Sequence, residues 1–172
     1  ASWESLWRIA FAGATPVLGG EDVERASGRV ARILVPGSTR GRLLGGNLTI
    51  LSTLMGTGWL PAFDGAILFL EEINEEPYRV DRMLQQLKLA GVFDRVSGVV
   101  FGQCTRCTSP DPNYAGFSLD DVIDRHLGGL DKPVVAGFNA GHVTNQLTLP
   151  VNVPVELDAA SRTLRMLEPA VG

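Results

Sequence analysis

The stretch GAILFLEEINEEPYRVDRMLQQLKLAGVFDRVSGVVFG, residues 65–102, decides the fold of this protein. Its apolar run 66–70 contains no polar residue, which is typical of a strand covered on both faces. Residues 78–90 place apolar side chains at spacings of three and four, which predicts an amphipathic helix ended by Gly91. A second apolar run follows at 97–102. Strand, helix and strand in so short a span predict a βαβ unit with parallel strands and a right-handed crossover.

The same pattern recurs downstream of this unit. Ser118 and Asp121 resemble a capping box at the start of a helix, and residues 133–138 form a third apolar run. The remaining segments predict antiparallel strands at 146–149, 153–157 and 163–167, the last two joined as a hairpin by Ala159-Ala160-Ser161. Upstream, we expect a helix at 5–11, loop or loop with a strand at 13–28, strands at 29–35 and 42–44, and a helix begun by Asn47. The predicted fold class is therefore α/β, with a small parallel βαβ core and added antiparallel strands.

The composition indicates the size of the domain and argues against some classes of function. The chain has 172 residues, of which 45% are hydrophobic and 20% charged, enough for one domain with a true core. Its net charge of −4 and its scattered cations argue against a nucleic-acid partner. The sequence contains no signal-peptide pattern and no apolar window long enough to span a bilayer, which predicts a soluble, cytoplasmic protein without a membrane partner.

Candidate functional residues follow the predicted parallel strands, where ligands bind in open α/β sheets. Glu71 and Glu72 end the first of these strands, and Asn139-Ala140-Gly141-His142 follows the third. His142 is either a proton-transfer group or a loop histidine bonded to backbone. His126, the other histidine, is expected to be a solvated surface residue on the polar side of its helix.

The doubled acid has two interpretations. If the strand continues through Glu71 and Glu72, their side chains point to opposite sides. In one interpretation, one of them caps the next turn and the other is solvated. In the other, one carboxylate orients a histidine, as in Ser-His-acid systems. No Gly-x-Ser-x-Gly motif occurs, so a nucleophilic serine would have to lie outside this chain.

Two further motifs predict little chemistry. Cys104-Thr105-Arg106-Cys107 is compatible with a redox pair or half a zinc site, but zinc needs two more ligands and a redox motif normally opens a helix. We therefore expect no metal site. Gly45-Gly46-Asn47 before a helix resembles a phosphate-binding start but lacks the other glycines of nucleotide fingerprints.

Four ordered blocks carry a family resemblance: GRLLGGNLTILSTLMGT (41–57), ILFLEEINEEPYRVDRMLQQLKLAGVF (67–93), GVVFGQC (98–104) and AGFNAGH (136–142). The chain resembles the C-terminal domain of the LD-carboxypeptidases. These are serine peptidases of the muramoyltetrapeptide carboxypeptidase group, which includes the microcin C immunity peptidases. The resemblance implies a swivelling β/β/α-like domain over residues 16–172, with residues 1–15 as the tail of, or linker to, an N-terminal domain that carries the nucleophilic serine.

The resemblance also implies roles for individual residues. Glu71 and His142 match the glutamate and histidine of a Ser-Glu-His triad, although relatives usually have Glu-Asp where this chain has Glu71-Glu72. Asn47, Gly46 and Gly141 are expected to bind substrate or to shape the site.

The implied reaction removes terminal D-alanine from murein tetrapeptides in cell-wall recycling, needs no cofactor or metal, and is often carried out by a homodimer. Two alternatives are a microcin C-type immunity peptidase and a non-catalytic binding module of the same fold. Arg40, Arg42 and Arg106 are candidates, by charge alone, for binding the terminal carboxylate of the substrate.

Overall fold

The computed structural model describes residues 2–172 as eight strands and six helices. The strands are β1 (Val17–Gly19), β2 (Arg32–Val35), β3 (Ser38–Asn47), β4 (Ile67–Ile73), β5 (Gly98–Thr105), β6 (Val134–Ala136), β7 (Pro154–Asp158) and β8 (Thr163–Met166). The helices are α1 (Ser2–Ala10), α2 (Glu21–Ser27), α3 (Leu48–Thr53), α4 (Pro77–Leu89), α5 (Val92–Arg95) and α6 (Leu119–Leu127). No helix within this range is long and apolar enough to cross a bilayer.

The strands form one sheet in the order β1-β8-β7-β3-β4-β5-β6-β2. The four central strands, β3 to β6, are parallel, and every other pairing is antiparallel. The predicted fold class, a small parallel core with antiparallel strands added, is confirmed. The parallel core has one strand more than the three apolar runs predicted, because residues 43–47 of β3, expected only as a short strand at 42–44, pair parallel with β4.

Strand β3 joins the two kinds of pairing. Residues 38–42 pair antiparallel with β7, and residues 43–47 pair parallel with β4. At Gly45 the backbone φ is +139°, and a Cβ atom would lie 1.9 Å from the carbonyl oxygen of Phe69. Only glycine fits so close to the neighbouring backbone, so this position keeps β3 against β4 up to the edge of the sheet.

The core lies on both faces of the central strands, as the apolar run in residues 66–70 predicted. In β4, Leu68 and Leu70 belong to the cluster packed under the helices α3 to α6, whereas Ile67 and Phe69 belong to the cluster that also holds core residues of β7 and β8. This alternation follows from the two-residue period of a strand. Because both faces are covered, the position of the strand end is tightly fixed.

Several local predictions are confirmed. Helix α4 begins at Pro77 and is followed by Gly91 in the left-handed conformation. Ser118 and Asp121 form a capping box at the start of α6, and the Asn47 side chain caps α3. The chain 159–161 joins β7 to β8 as a hairpin.

Three predictions about local structure were wrong. The segment 13–28, expected to be loop or loop with a strand, also contains helix α2. Residues 146–149 form no strand, because the backbone N–H of Leu147 donates to the carbonyl of Asn139 and that of Thr148 donates to Ser5 Oγ rather than to a neighbouring strand. His126 is buried, with its Nε2 atom 2.8 Å from Asp81 Oδ1. It lies three residues after Ile123 and four after Val122, so it shares their inward helix face.

Candidate functional site

Glu71 and His142 meet at the carboxyl edge of the parallel strands. The Nδ1 atom of His142 lies 2.7 Å from Oε2 of Glu71. Glu71 comes from the end of β4, and His142 comes from the loop that follows β6. Sequence topology predicted that a carboxylate and this histidine converge here, and the geometry agrees with that prediction.

The pair is held in an asymmetric environment. The Glu71 side chain is only 8% exposed, whereas the His142 side chain is 53% exposed. An ionised carboxylate can only accept hydrogen bonds, so the proton of this contact is assigned to Nδ1. That tautomer leaves Nε2 as the basic nitrogen, directed away from Glu71 and free to exchange a proton with another group.

Strand β4 continues through Glu71 and Glu72, so their side chains point to opposite faces of the sheet, as expected. Glu72 is 2% exposed and accepts hydrogen bonds from Asn47 Nδ2 at 2.8 Å, from Thr49 N at 2.7 Å and from Ile73 N at 2.8 Å. The interpretation that one acid is solvated is therefore wrong, because both are buried. Glu72 holds the first turn of α3 against the strand end.

The loop of His142 approaches Glu71 at Gly141. This residue has a φ of +114°, and a Cβ atom there would lie 3.0 Å from Glu71 Oε2 and 3.1 Å from Glu71 Cβ. The neighbouring carbonyl of Ala140 accepts a hydrogen bond from Gln103 N at 2.9 Å. The absence of a side chain at Gly141 lets the loop lie close enough for the imidazole to contact the carboxylate.

Asn139, which the sequence did not indicate as a site residue, bonds the start of the His142 loop to residues near its end. Its side chain is buried and donates from Nδ2 to the carbonyl of Asn145 at 3.1 Å. Its backbone carbonyl accepts from Leu147 N at 2.9 Å. The local sequence around Asn139 does not indicate this role. Its hydrogen-bond partners, Asn145 and Leu147, lie later in a loop whose shape the sequence does not determine.

An open cavity of about 800 Å³ lies beside the pair and is lined by both side chains. Its walls are mainly apolar, from Phe69, Ile73, Val143, Leu147 and Leu149, with Thr144, Gln146 and Thr148 as polar members. No serine, lysine or arginine belongs to the part of the wall formed by residues 2–172. The described part of the cavity therefore offers acid–base groups, apolar surface and two threonine hydroxyls, but no serine.

The other predicted site residues fall in different places. Gly46 and Gly141 line the cavity. Asn47 uses its side chain internally, with Oδ1 accepting from Ile50 N at 3.1 Å and Nδ2 donating to Glu72. This explains how Asn47 shapes the edge of the sheet, and its contact with substrate stays a prediction.

The three arginine candidates lie outside the cavity wall. Arg40 pairs with Glu156 at 3.2 Å, Arg42 donates to Asn152 Oδ1 at 2.6 Å, and Arg106 donates to Asn74 Oδ1 at 2.6 Å. Their side chains are therefore engaged elsewhere.

The cysteines lie beside a separate cavity of about 410 Å³. Both are free thiols, and Cys107 is buried. The nearby Cys107 thiol, together with burial, raises the pKa of the Cys104 thiol, and the interaction with Cys104 lowers the pKa of Cys107. Within residues 2–172, no group of three or more His, Cys, Asp or Glu side chains is arranged to hold a metal ion.

A half-buried histidine paired with a buried carboxylate at the edge of an α/β sheet is an arrangement found in hydrolases that activate a nucleophile. Comparison with known proteins identifies the family. Residues 40–157 match the model of the LD-carboxypeptidase C-terminal domain, and this chain belongs to that family.

Three relatives illustrate the similarity. A probable murein peptide carboxypeptidase of Bacillus subtilis is 34% identical over 130 residues, which cover 76% of this chain and 40% of the relative. The microcin C7 self-immunity protein MccF of Escherichia coli is 31% identical over 133 residues, covering 77% of this chain and 38% of the relative. A wild-type apo structure of MccF has a TM-score of 0.72 at 29% identity, covering 83% of this chain and 42% of that one.

The crystal structure of a muramoyltetrapeptide carboxypeptidase from Oxalobacter formigenes gives a TM-score of 0.67 at 32% identity, over 84% of this chain and 52% of that one. The chain spans about two fifths of the length of the first curated relatives, with 43%, 43% and 40% of their residues covered. The Bacillus subtilis relative and the Oxalobacter formigenes structure are both named as carboxypeptidases.

Proposed function

We propose that this chain supplies the glutamate and histidine of a serine LD-carboxypeptidase that removes terminal D-alanine from murein tetrapeptides during cell-wall recycling in the cytoplasm. The observation that carries the proposal is the 2.7 Å contact between His142 Nδ1 and Glu71 Oε2, beside a cavity that both residues line. The names of the Bacillus and Oxalobacter relatives support the substrate class.

In this proposal the nucleophilic serine belongs to a domain outside residues 1–172. The serine attacks the carbonyl carbon of the amide before D-alanine, and His142 Nε2 accepts its proton. The same nitrogen then protonates the leaving amine, and water hydrolyses the acyl-enzyme by the reverse sequence. Glu71 holds the imidazole in one tautomer and stabilises the imidazolium that forms. Every proton transfer uses groups of the protein or water, so the reaction needs no cofactor.

Exposed aromatic side chains on α1 and on the residue that follows it support the two-domain arrangement. Trp3, Trp7 and Phe11 are 68%, 53% and 62% exposed, and the last two rings stack with centroids 5.0 Å apart. Helix α1 is tied to the cavity wall, because Ser5 Oγ accepts a hydrogen bond from Thr148 N at 3.0 Å. A contiguous apolar face beside an incomplete site is suited to contact the serine-bearing domain.

The test is hydrolysis of a purified murein tetrapeptide by the full-length protein, with release of D-alanine measured by mass spectrometry. We expect activity in the wild type and loss of activity in His142→Ala. The control His126→Gln removes the other histidine, which does not line the cavity, and the folded variant is expected to retain activity. The proposal fails if the folded full-length protein releases no D-alanine, or if His142→Ala remains as active as the wild type.

A second candidate substrate is a peptide-nucleotide antibiotic, and the similarity to MccF favours it. The acid–base chemistry would be the same, and only the groups that bind the nucleotide would differ. Parallel assays of the full-length protein on murein tetrapeptide and on microcin C distinguish the two candidates. Binding of either compound without hydrolysis would instead support a non-catalytic module. The homodimer implied by the resemblance is tested by light scattering of the same preparation.

A further inference from the structure

The orientation of His142 requires more than its contact with Glu71. The ring is 53% exposed, so packing holds it only in part. One hydrogen bond, from Nδ1 to Glu71, acts on the ring. A second acts on the backbone of the same residue, because Thr105 Oγ1 donates to the carbonyl oxygen of His142 at 2.8 Å.

Thr105 is well placed for this contact because it ends strand β5. Its backbone carbonyl accepts from Asn74 N at 2.9 Å, and it pairs in register with Ile73 of β4. Strand β4 also carries Glu71. The two residues that hold His142 therefore lie on adjacent strands whose relative position is fixed by the sheet.

Gln103, two residues earlier on the same strand, holds the chain before the histidine. Its Nε2 atom donates to the carbonyl of Gly137 at 2.6 Å, and its backbone N–H donates to the carbonyl of Ala140. The hydrogen bonds of Gln103 and Thr105 together hold the loop after β6 against the end of β5. Of the two residues, Thr105 is the one that bonds to His142 itself.

We propose that Thr105 is a positioning residue for His142. Its hydroxyl fixes the backbone from which the imidazole projects, so that Nδ1 reaches Glu71 and Nε2 faces the cavity. The structural part stands on the contacts alone, and its kinetic consequence rests on the proposed function. Thr105→Val keeps the shape of the side chain but leaves the His142 carbonyl without this donor, whereas Thr105→Ser keeps the donor.

The first experiment uses this chain and requires no activity. A proton shared between an imidazole nitrogen and a carboxylate gives a far-downfield proton NMR resonance, which Glu71→Gln identifies by shifting or removing it. We expect this resonance to broaden or disappear in Thr105→Val and to remain in Thr105→Ser. The matched control is Thr108→Val, the same substitution at an exposed threonine three residues further on. Circular dichroism establishes that each variant is folded.

The second experiment measures kcat and KM of the full-length protein on murein tetrapeptide. We expect Thr105→Val to lower kcat about 10- to 100-fold, the range expected for a misplaced catalytic group, and to leave KM within about twofold. Thr105→Ser should restore most of the rate, and Thr108→Val should match the wild type.

The proposal is overturned if folded Thr105→Val keeps the wild-type resonance, or if Thr105→Ser loses it as fully as Thr105→Val. An inactive wild-type protein would count against the proposed function, and the resonance would still decide the role of Thr105. In an active protein, an unchanged kcat in Thr105→Val overturns the kinetic consequence.

Discussion

His142 Nδ1 and Glu71 Oε2 lie 2.7 Å apart although the two residues are separated by 71 positions in the chain. The carboxylate is almost fully buried, and the imidazole is half exposed. A buried acid that accepts from Nδ1 leaves Nε2 as the nitrogen that can exchange a proton with another group. The first prediction tests what this contact contributes to the reaction.

Glu71→Gln keeps the size of the side chain but removes the charge that stabilises an imidazolium. In the full-length protein we expect kcat on murein tetrapeptide to fall by about three to four orders of magnitude, as when the acid of a Ser-His-Asp triad is replaced by its amide. The control is Glu156→Gln, a carboxylate on β7 that pairs with Arg40 and Arg165 away from the cavity. Loss of less than about tenfold in kcat for folded Glu71→Gln would contradict a triad-like role.

Gly141→Ala tests the close approach between the histidine loop and Glu71. The new methyl group would lie 3.0 Å from Glu71 Oε2 on a backbone with φ of +114°, which is unfavourable for any L-residue. We expect the free energy of unfolding to fall by about 1–3 kcal/mol and the Nδ1 proton resonance to shift. Chemical denaturation and NMR measure the two effects.

Gly129→Ala is the matched control for that experiment, because a Cβ atom there meets nothing within 4 Å and the backbone lies outside the left-handed region. If both alanine variants unfold at the same denaturant concentration as the wild type, the loop tolerates a side chain and the steric argument is wrong.

His126→Ala tests the structural role of the buried histidine. The substitution removes the bond to Asp81 between α6 and α4 and leaves a cavity, so we expect a loss of about 2–4 kcal/mol in the free energy of unfolding. Arg125→Ala, next to it with a side chain 62% exposed, should change stability by less than about 1 kcal/mol. The prediction fails if urea denaturation gives equal losses for the two variants.

Glu24→Gln tests a buried ion pair through its pH dependence. Glu24 accepts from Arg162 at 2.7 and 2.9 Å and from Ala31 N at 2.9 Å. The hydrogen bonds from Arg162 are the main reason that the pKa of Glu24 lies below its ordinary value of 4.5. A lowered folded-state pKa adds stability that is present above the unfolded-state pKa and is lost as pH falls through the folded-state pKa.

We therefore expect Glu24→Gln to destabilise the protein by about 1–3 kcal/mol at pH 7, and the difference from the wild type to shrink below pH 4.5. Denaturant unfolding at several pH values measures this difference. Glu21→Gln, an exposed acid on the same helix, is the control. A difference that stays constant from pH 7 to about pH 3 would show that the charge of Glu24 contributes no stability.

Much of the fold was predictable because its central strands carry strong local patterns. The runs that became β4, β5 and β6 are apolar without interruption, and α4 and α6 have clear helical spacing with identifiable starts. The short elements β1 and α2 lie in a segment rich in glycine and acid, where local pattern is weak. The segment 146–149 alternates like a strand, but its N–H groups bond to Asn139 and Ser5, which no local pattern reveals.

The sequence by itself determined three of the parallel strands and their order, although β4 and β5 continue to Ile73 and Thr105, beyond the apolar runs. That order was enough to predict that Glu71 and His142 would lie at one edge of the sheet. Alternation along β4 also separated Glu71 from Glu72. Only the tertiary structure decided which group each side chain contacts. Glu71 contacts His142, and Glu72 contacts the start of α3. His126 contacts Asp81, and Thr105 contacts the His142 carbonyl. The physical reason is that strands follow from local hydrophobic pattern, whereas hydrogen-bond partners are selected by packing between segments far apart in the chain.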